Sequence, residues 1–366
     1  LAWYRSSAFQ ISPLLNIANS ESQLVTGENN RANQESRTQF GLGSAGLVIN
    51  STPVLSDWKA FNFGIGLTRT SSFSQKISYR GSSPGTIAER WVELANGFEP
   101  AELPSVDPFE ADLADLTGAI IENPQGSQMY INDLDIFGVD RFERSQTIIQ
   151  KGSITEINLG MGANYKNKLL LGLALSVPIL NFEETSTYSE DYFVDDDIST
   201  YNSSLVFNEN LQTRGLGFNA RFGMIYRASQ LLRLGAAVHT PSFIALSEDF
   251  DTDLQFDFEE FVKASEETFS GGGFEESPLG EFEYNFRTPW RFIGNMGLVF
   301  GKIGFLTLEA EYIDFGSNRF SFTSDDPGFE DAEDFVNDEV SQQLGDAIRL
   351  RLGGELVYEI FRFRAG

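Results

Sequence analysis

Residues 213–226 read Thr-Arg-Gly-Leu-Gly-Phe-Asn-Ala-Arg-Phe-Gly-Met-Ile-Tyr, with Leu216, Phe218, Ala220, Phe222, Met224 and Tyr226 at every second position. Between them stand Gly215, Gly217, Asn219, Arg221 and Gly223. A β-strand sends successive side chains to opposite faces, so this stretch presents one oily face and one polar face. The plan recurs. Ile157, Leu159, Met161, Ala163 and Tyr165 alternate with Glu156, Asn158, Gly160, Gly162 and Asn164, and Ile348, Leu350, Leu352, Leu356 and Tyr358 with Arg349, Arg351, Gly353 and Glu355. A soluble sandwich uses such a strand too. Repeated strands with charge, amide and glycine on one side and apolar residues on the other are the pattern of an antiparallel transmembrane β-barrel with a wet interior.

The phase of these strands is strongly set, because a charge facing lipid near mid-bilayer costs about 2–4 kcal/mol. Leu216, Phe218, Phe222, Leu350 and Leu352 are therefore expected to face lipid. Arg221, Arg233, Arg291, Arg349 and Arg351 share the inward phase with Glu156, Glu309, Glu311 and Glu355. Two roles remain open for these arginines: interior salt bridges that hold a narrow barrel, or a grip on a ligand carboxylate.

Composition agrees with a barrel. The 366 residues include 34 Gly, 33 Phe and 11 Tyr, and no stretch approaches the roughly 18–20 consecutive apolar residues of a membrane helix. With no cysteine there is neither a disulfide nor a thiolate metal site. This fits an oxidising compartment. A net charge of −27 argues against a nucleic-acid partner. Leu1-Ala2-Trp3-Tyr4-Arg5 shows no basic region followed by an apolar one, and Phe361-Arg-Phe-Arg-Ala-Gly366 still alternates at the last residue, so a fragment of a longer protein, trimmed at both ends, is expected.

Strands are expected near 8–17, 38–49, 57–69, 146–165, 168–180, 213–227, 230–240, 282–300, 303–315, 346–358 and from 361 onward, with a further one in 200–212. Short turns fall at Lys166-Asn167, Ala228-Ser229, Gly301-Lys302 and Glu359-Ile360. The opposite connections are long, at 70–145, 181–212, 241–281 and 316–345. Such asymmetry places the long loops outside the cell. They hold most of the acid: from Glu248 to Glu283 there are thirteen acidic residues and one base, Lys263, and Asp325 to Asp346 repeats the bias. Short amphipathic helices are expected in them from Ile87, Trp91 and Leu94 before Gly97, from Phe109, Leu113, Leu116 and Ile120, from Phe258, Phe261, Val262, Ser265 and Phe269, and from Phe329, Ala332, Phe335, Val336 and Val340. Their apolar faces either pack the loops into a cap or line an outer groove where an apolar ligand first lands.

Several motifs are set aside. Gly41-Leu-Gly43-Ser-Ala-Gly46 continues as Leu-Val-Ile-Asn rather than into a helix, so it is not a nucleotide-binding turn. Asp249, Asp251, Asp253 and Glu260 have the spacing of a calcium loop, but Leu254 stands where that loop needs glycine. A solvated acidic segment is the reading there, as for Asp195-Asp196-Asp197. The single histidine, His239, forms no two-histidine metal centre and has no nucleophile spaced around it. No enzyme, metal or cofactor is proposed. Pro178 interrupts the strand Leu169, Leu171, Leu173, Leu175, Val177 and marks a strand end, a bulge or a break in the wall.

Leu1-Ala-Trp-Tyr-Arg-Ser-Ser-Ala-Phe9, Trp58-Lys-Ala-Phe-Asn-Phe-Gly-Ile-Gly66, Thr288-Pro-Trp-Arg-Phe-Ile-Gly-Asn-Met-Gly297 and Gly304-Phe-Leu-Thr-Leu-Glu-Ala-Glu-Tyr-Ile-Asp314 resemble the FadL/TodX-type outer-membrane transport family. The resemblance implies a fourteen-stranded barrel in a bacterial outer membrane, plugged by an N-terminal hatch and passing long-chain fatty acids or other hydrophobic compounds inward. It also implies ligand capture in a groove among outer helices, where Trp91, Phe109 and Leu113 lie, and lateral exit through a distorted strand, for which Pro178 is a candidate. The hatch is expected before Leu1 and the last strands after Gly366. The acidic loops depart from a surface suited to anionic fatty acids and leave neutral hydrocarbons, sterol-like and aromatic compounds open. Rival expectations are a barrel whose acidic cap docks a surface or secretion partner, and a general aqueous pore.

Overall fold

A computed structural model describes the chain except for residues 3, 25–31, 124–128, 133–135, 137–140 and 324–326. Its elements in chain order begin with strands β1 (Ala8–Ser22), β2 (Asn33–Ser51), β3 (Trp58–Ser72) and β4 (Gln75–Ser83). Helices α1 (Ala88–Ala95), α2 (Leu103–Val106) and α3 (Ala111–Thr117) follow, with the small pair β5 (Ile121–Glu122) and β6 (Tyr130–Ile131). The long strands β7 (Phe142–Tyr165), β8 (Leu169–Asp195) and β9 (Ser199–Arg227) come next. They lead into β10 (Leu232–His239), β11 (Phe243–Val262), β12 (Glu267–Glu276), β13 (Gly280–Arg287), β14 (Arg291–Val299), β15 (Gly304–Asp314) and β16 (Arg319–Phe322). Helix α4 (Pro327–Gln343) precedes β17 (Asp346–Tyr358) and β18 (Phe361–Ala365).

Apart from β5 and β6, the strands form one 16-stranded antiparallel sheet whose main path runs β1-β2-β3-β7-β8-β9-β10-β14-β15-β17-β18. Among the described residues no pairing joins β1 to β18, so the closed fourteen-strand ring is not visible. The sheet is curved nonetheless, because inner residues from β1 to β9 line one cavity. No described helix is long and apolar enough to cross a membrane.

The distribution of side chains is inverted relative to a soluble protein. Leu216, Phe218, Phe222, Leu350 and Leu352 are 59%, 62%, 45%, 69% and 61% exposed, whereas Glu156, Asn164, Asn219 and Glu311 are buried. The alternation read at 213–226 is therefore the alternation of the wall. The turns follow the sequence signals as well. Lys166 and Asn167 both have positive φ, 52° and 55°, which gives the two-residue hairpin turn whose twist matches its strands.

Above the apolar band the structure departs from the sequence reading. Segments 181–212 and 241–281, expected as long loops, are mainly strand: β8 runs on to Asp195 and β9 starts at Ser199. The helix expected from Phe258 to Phe269 is instead the end of β11, a turn and the start of β12. Period two prevails there because Leu254, Phe256 and Phe258 must face the same underlying core. Asp249, Asp251 and Asp253 lie on β11, hydrogen-bonded to Arg214, Asn210 and Asn208, and are not arranged as a loop. The 282–300 strand divides into β13 and β14 at Thr288-Pro289-Trp290. Helices α1, α3 and α4 stand where apolar spacing places them; Asp325 lies outside the described residues.

Pro178 sits inside a continuing strand and does not end it. Pairing of β8 with β9 stops at Ser176↔Asn219 and resumes at Ile179↔Leu216 in unchanged register, leaving Val177 and Pro178 unpaired on that side. On the other side of β9, partner β10 ends at His239↔Arg221 and β11 begins at Phe243↔Phe218, with Pro241 between them. Opposite the gap is Gly217, where an added Cβ would lie 2.5 Å from the Phe243 carbonyl oxygen. A proline without a donor and a glycine without a side chain thus crease the wall at one level.

Candidate functional site

The cap forms first from helix α1, whose Ala88, Trp91, Val92 and Ala95 are buried on one face. Trp91 is fully buried and meets Phe207 of β9 edge-on at 5.5 Å between ring centroids, while its Nε1 donates to Glu110 at 3.2 Å. Leu113 is buried in the same cluster with Leu103, Ile120, Tyr130, Leu205, Leu254 and Phe256. Phe109 packs on Phe250 at 4.7 Å. Glu190 of β8 anchors the start of α1, accepting from Thr86 Oγ1 at 2.5 Å and from the Ile87 amide at 3.1 Å, with Arg144 at 3.3 Å. Burial raises the phenol of Tyr130 to about 12, with Asp115 and Glu122 adding to it, and raises that of Tyr188 as well. Trp91 and Leu113, named from the sequence as ligand-binding, are thus interior side chains of a packed cap.

The inner face of the wall carries a row of charge. Arg221 of β9 donates through Nη2 to Glu156 of β7 at 2.7 and 2.5 Å. Glu311 of β15, 3% exposed, faces Arg291 at 3.9 Å, Arg349 at 3.2 Å and Arg351 at 3.1 Å. Arg351 also contacts Glu309. His239 pairs in register with Arg221 on one side and Arg291 on the other. Of the five inward arginines, Arg221, Arg291, Arg349 and Arg351 are therefore each brought to a carboxylate on this face. Breaking a buried pair leaves an uncompensated charge, so these contacts fix the phase and spacing of the strands.

Between this row and the end of β1 lies a cavity of about 590 Å³. Its inner lining joins Gln10, Gly46, Gly66, Asn158, Gly160 and Ala174 with Leu1 and Tyr4, and the Glu156–Arg221 pair stands at one end. Glycine is required at 162, where an added Cβ would lie 2.5 Å from the Ala2 amide nitrogen, and one at Gly160 would displace Leu1 Cδ1 from 2.5 Å. Asn62, buried on β3, donates to the carbonyls of Leu1 and Tyr4 at 2.9 and 3.1 Å and holds that segment inside. Sequence reasoning did not single out Asn62 or Glu190. The inward phase of Asn62 was the available signal; Glu190 had none.

Two further cavities flank the crease. One of about 500 Å³ includes Ile179, Leu180, Gly215 and Leu246, and one of about 660 Å³ includes Gly217, Phe218, Phe243, Phe286 and Phe320. Pro178 is in neither lining but breaks the pairing beside them. At the junction of β13 and β14, Trp290 stacks on Phe292 at 6.3 Å between ring centroids.

No protein-family model matches the chain, and no curated protein matches it. Among solved structures it is similar to the toluene transporter TbuX of Ralstonia pickettii, at 10% identity and a TM-score of 0.40 over 98% of this chain and 76% of that one. It is also similar to the toluene transporter TodX of Pseudomonas putida, at 11% identity and a TM-score of 0.39 over 99% and 74%. At that level the likeness fixes neither family nor cargo. The functional reading rests on this chain's own strands, cavities and charges.

Proposed function

We propose that this chain is the wall of an outer-membrane β-barrel that passes hydrophobic small molecules inward without an energy source. The carrying observation is the cavity of about 590 Å³, lined by glycine and apolar residues together with Gln10, Thr68, Asn158 and the Glu156–Arg221 pair. A lumen for sugars and ions has polar walls throughout; a chamber of this lining instead accepts an apolar body. The exposed apolar band of the wall supports membrane insertion.

The proposed path runs from the acidic cap through the cavity and out beside Pro178 and Gly217, where pairing is interrupted and two cavities flank the wall. Trp91, Phe109 and Leu113 shape the cap that surrounds the entrance and do not touch cargo in this reading. Long-chain fatty acids, alkanes and aromatic compounds are the candidate classes, and no chemical step is assigned to any residue. The test is uptake into vesicles carrying the complete barrel. Saturable entry of a fluorescent fatty acid or of toluene, without swelling in sugar solutions, supports the proposal. Free passage of sugars with no saturable hydrophobic uptake overturns it in favour of an aqueous pore.

A further inference from the structure

We propose that Arg287 and Arg319 form a seat for the phosphate of a membrane lipid, on the outer face of the wall at the cap-side rim of the apolar band. This goes beyond the transport reading and needs only that the alternating strands stand in lipid with their apolar phase outward.

Arg287 ends β13 and Arg319 begins β16, and the two are direct partners across that antiparallel pair, so both side chains leave the sheet on one face. It is the outer face. Arg287 also pairs with Phe243 of β11, and Phe243 pairs with Phe218 of β9; these two rings are exposed and stack at 5.4 Å. The row lies at the edge of the band, because the outward residue after Leu216 on β9 is Arg214, paired with Asp249 at 3.0 Å. Just past Arg287, Trp290 is exposed and stacks on Phe292, as suits the aromatic girdle at a membrane boundary. Among the described residues neither Arg287 nor Arg319 has a carboxylate within ion-pair distance, whereas Arg214, Arg221, Arg291, Arg349 and Arg351 each have one. Arg319 Nη1 donates to the carbonyls of Gly316 and Asn318 at 3.0 and 2.8 Å, which holds its guanidinium at the rim. Like charges set directly opposite destabilise a strand pair, and an anion between them reverses the sign of that effect.

Both arginines line the cavity of about 660 Å³ whose opposite side is Leu216, Phe218 and Phe243. Asn285 and Ser321, partners in the next outward row, line it beside them. Helix α4 closes a third side over the free edge of β16. Its Asn337 accepts from the Phe320 amide and donates to the Phe320 carbonyl, at 2.8 and 2.9 Å, and its Glu333 accepts from the Phe322 amide at 2.8 Å. The recess is thus apolar on one side and cationic on the other, which is the division of an amphiphile: an acyl chain against Phe218 and Phe243, a phosphate between the guanidiniums. Guanidinium N–H pairs match two phosphate oxygens, and basic recesses at the membrane boundary select anionic head groups. The arginines and phenylalanines share the outward phase, so the occupant arrives from the surrounding membrane and not from the lumen.

The experiment is native mass spectrometry of the full chain released from a non-ionic detergent, with dioleoyl phosphatidic acid, dioleoylglycerol and inorganic phosphate as probes. The two lipids share their tails and differ in the phosphate. The parent is expected to retain one phosphatidic acid with at least about tenfold preference over dioleoylglycerol, and equimolar inorganic phosphate is expected not to displace it. Arg287→Gln/Arg319→Gln is expected to lose the preference, while Arg214→Gln, at an arginine already paired with Asp249, keeps it. Arg287→Gln alone leaves the contacts of Arg319 with Gly316 and Asn318 in place, so it folds, and it is expected to lose about threefold of the preference. Equal retention of the two lipids by the parent, or a preference that survives the double variant, overturns the site. Displacement by equimolar inorganic phosphate assigns the arginines to the free ion and overturns the lipid assignment. Each of these results leaves the transport reading standing, because the vesicle uptake that tests it concerns the other face of the wall.

Discussion

Phe222 and Asn219 sit three positions apart on β9 and obey opposite rules. Phe222 is 45% exposed on the outer face, while Asn219 is buried on the inner face and donates to Ser242 Oγ at 3.0 Å. Phe222→Arg is expected to lower stability by about 2–4 kcal/mol at a mid-bilayer depth, and Asn219→Ala by about 1 kcal/mol, the net worth of one hydrogen bond. A urea titration in lipid vesicles reads both, and equal tolerance at the two positions contradicts a membrane face. At this scale the sequence was most informative, because lipid contact enforces strict alternation. What it left open was the task of the inward arginines. The geometry of the sheet supplies it for Arg221, Arg349 and Arg351, to each of which it brings a glutamate.

Among the elements, α3 shows how the cap is tuned. It ends at Gly118, whose φ of 83° is the left-handed conformation that stops a helix, and its Asp115 lies in the last turn, where a negative charge opposes the helix dipole. Burial, and then the Glu122 carboxylate, raise the Asp115 pKa above the usual aspartate range. A raised carboxylate pKa penalises the folded state at pH values above the raised value, and the penalty disappears below the ordinary value of about 3.9. Asp115→Asn is therefore expected to slow hydrogen exchange of the α1 and α3 amides at about pH 7, after correction for intrinsic rates, with the gain fading as the pH falls towards about 4. A gain that grows on acidification contradicts the assigned cause. The outer hairpins were hard to read for a related reason. Beyond the apolar band, β8 runs Asn181-Phe-Glu-Glu-Thr-Ser-Thr-Tyr-Ser-Glu-Asp-Tyr192 and no longer touches lipid, so nothing forces one face to be apolar and the period-two signal fades. The Phe258–Phe269 stretch failed differently, since its aromatics mimic helical spacing across a hairpin turn.

At the scale of the whole molecule, a curved antiparallel wall carries a packed outer cap, an inner row of paired charge and a cavity of about 590 Å³. The cap gathers acid at one end, and the creased wall beside Pro178 and Gly217 supplies the proposed side exit. Every part depends on one claim, that the alternating strands stand in lipid with their apolar phase outward. Nitroxide labels placed singly at residues 215–224 of the protein in vesicles test it directly, through relaxation by oxygen, which partitions into lipid, and by a polar nickel chelate, which stays in water. Oxygen maxima are expected at 216, 218, 220, 222 and 224, with low oxygen accessibility at the positions between and the chelate excluded from the outward set. Accessibility that does not alternate, or that reaches its oxygen maxima at 215, 217, 219, 221 and 223, contradicts the claim.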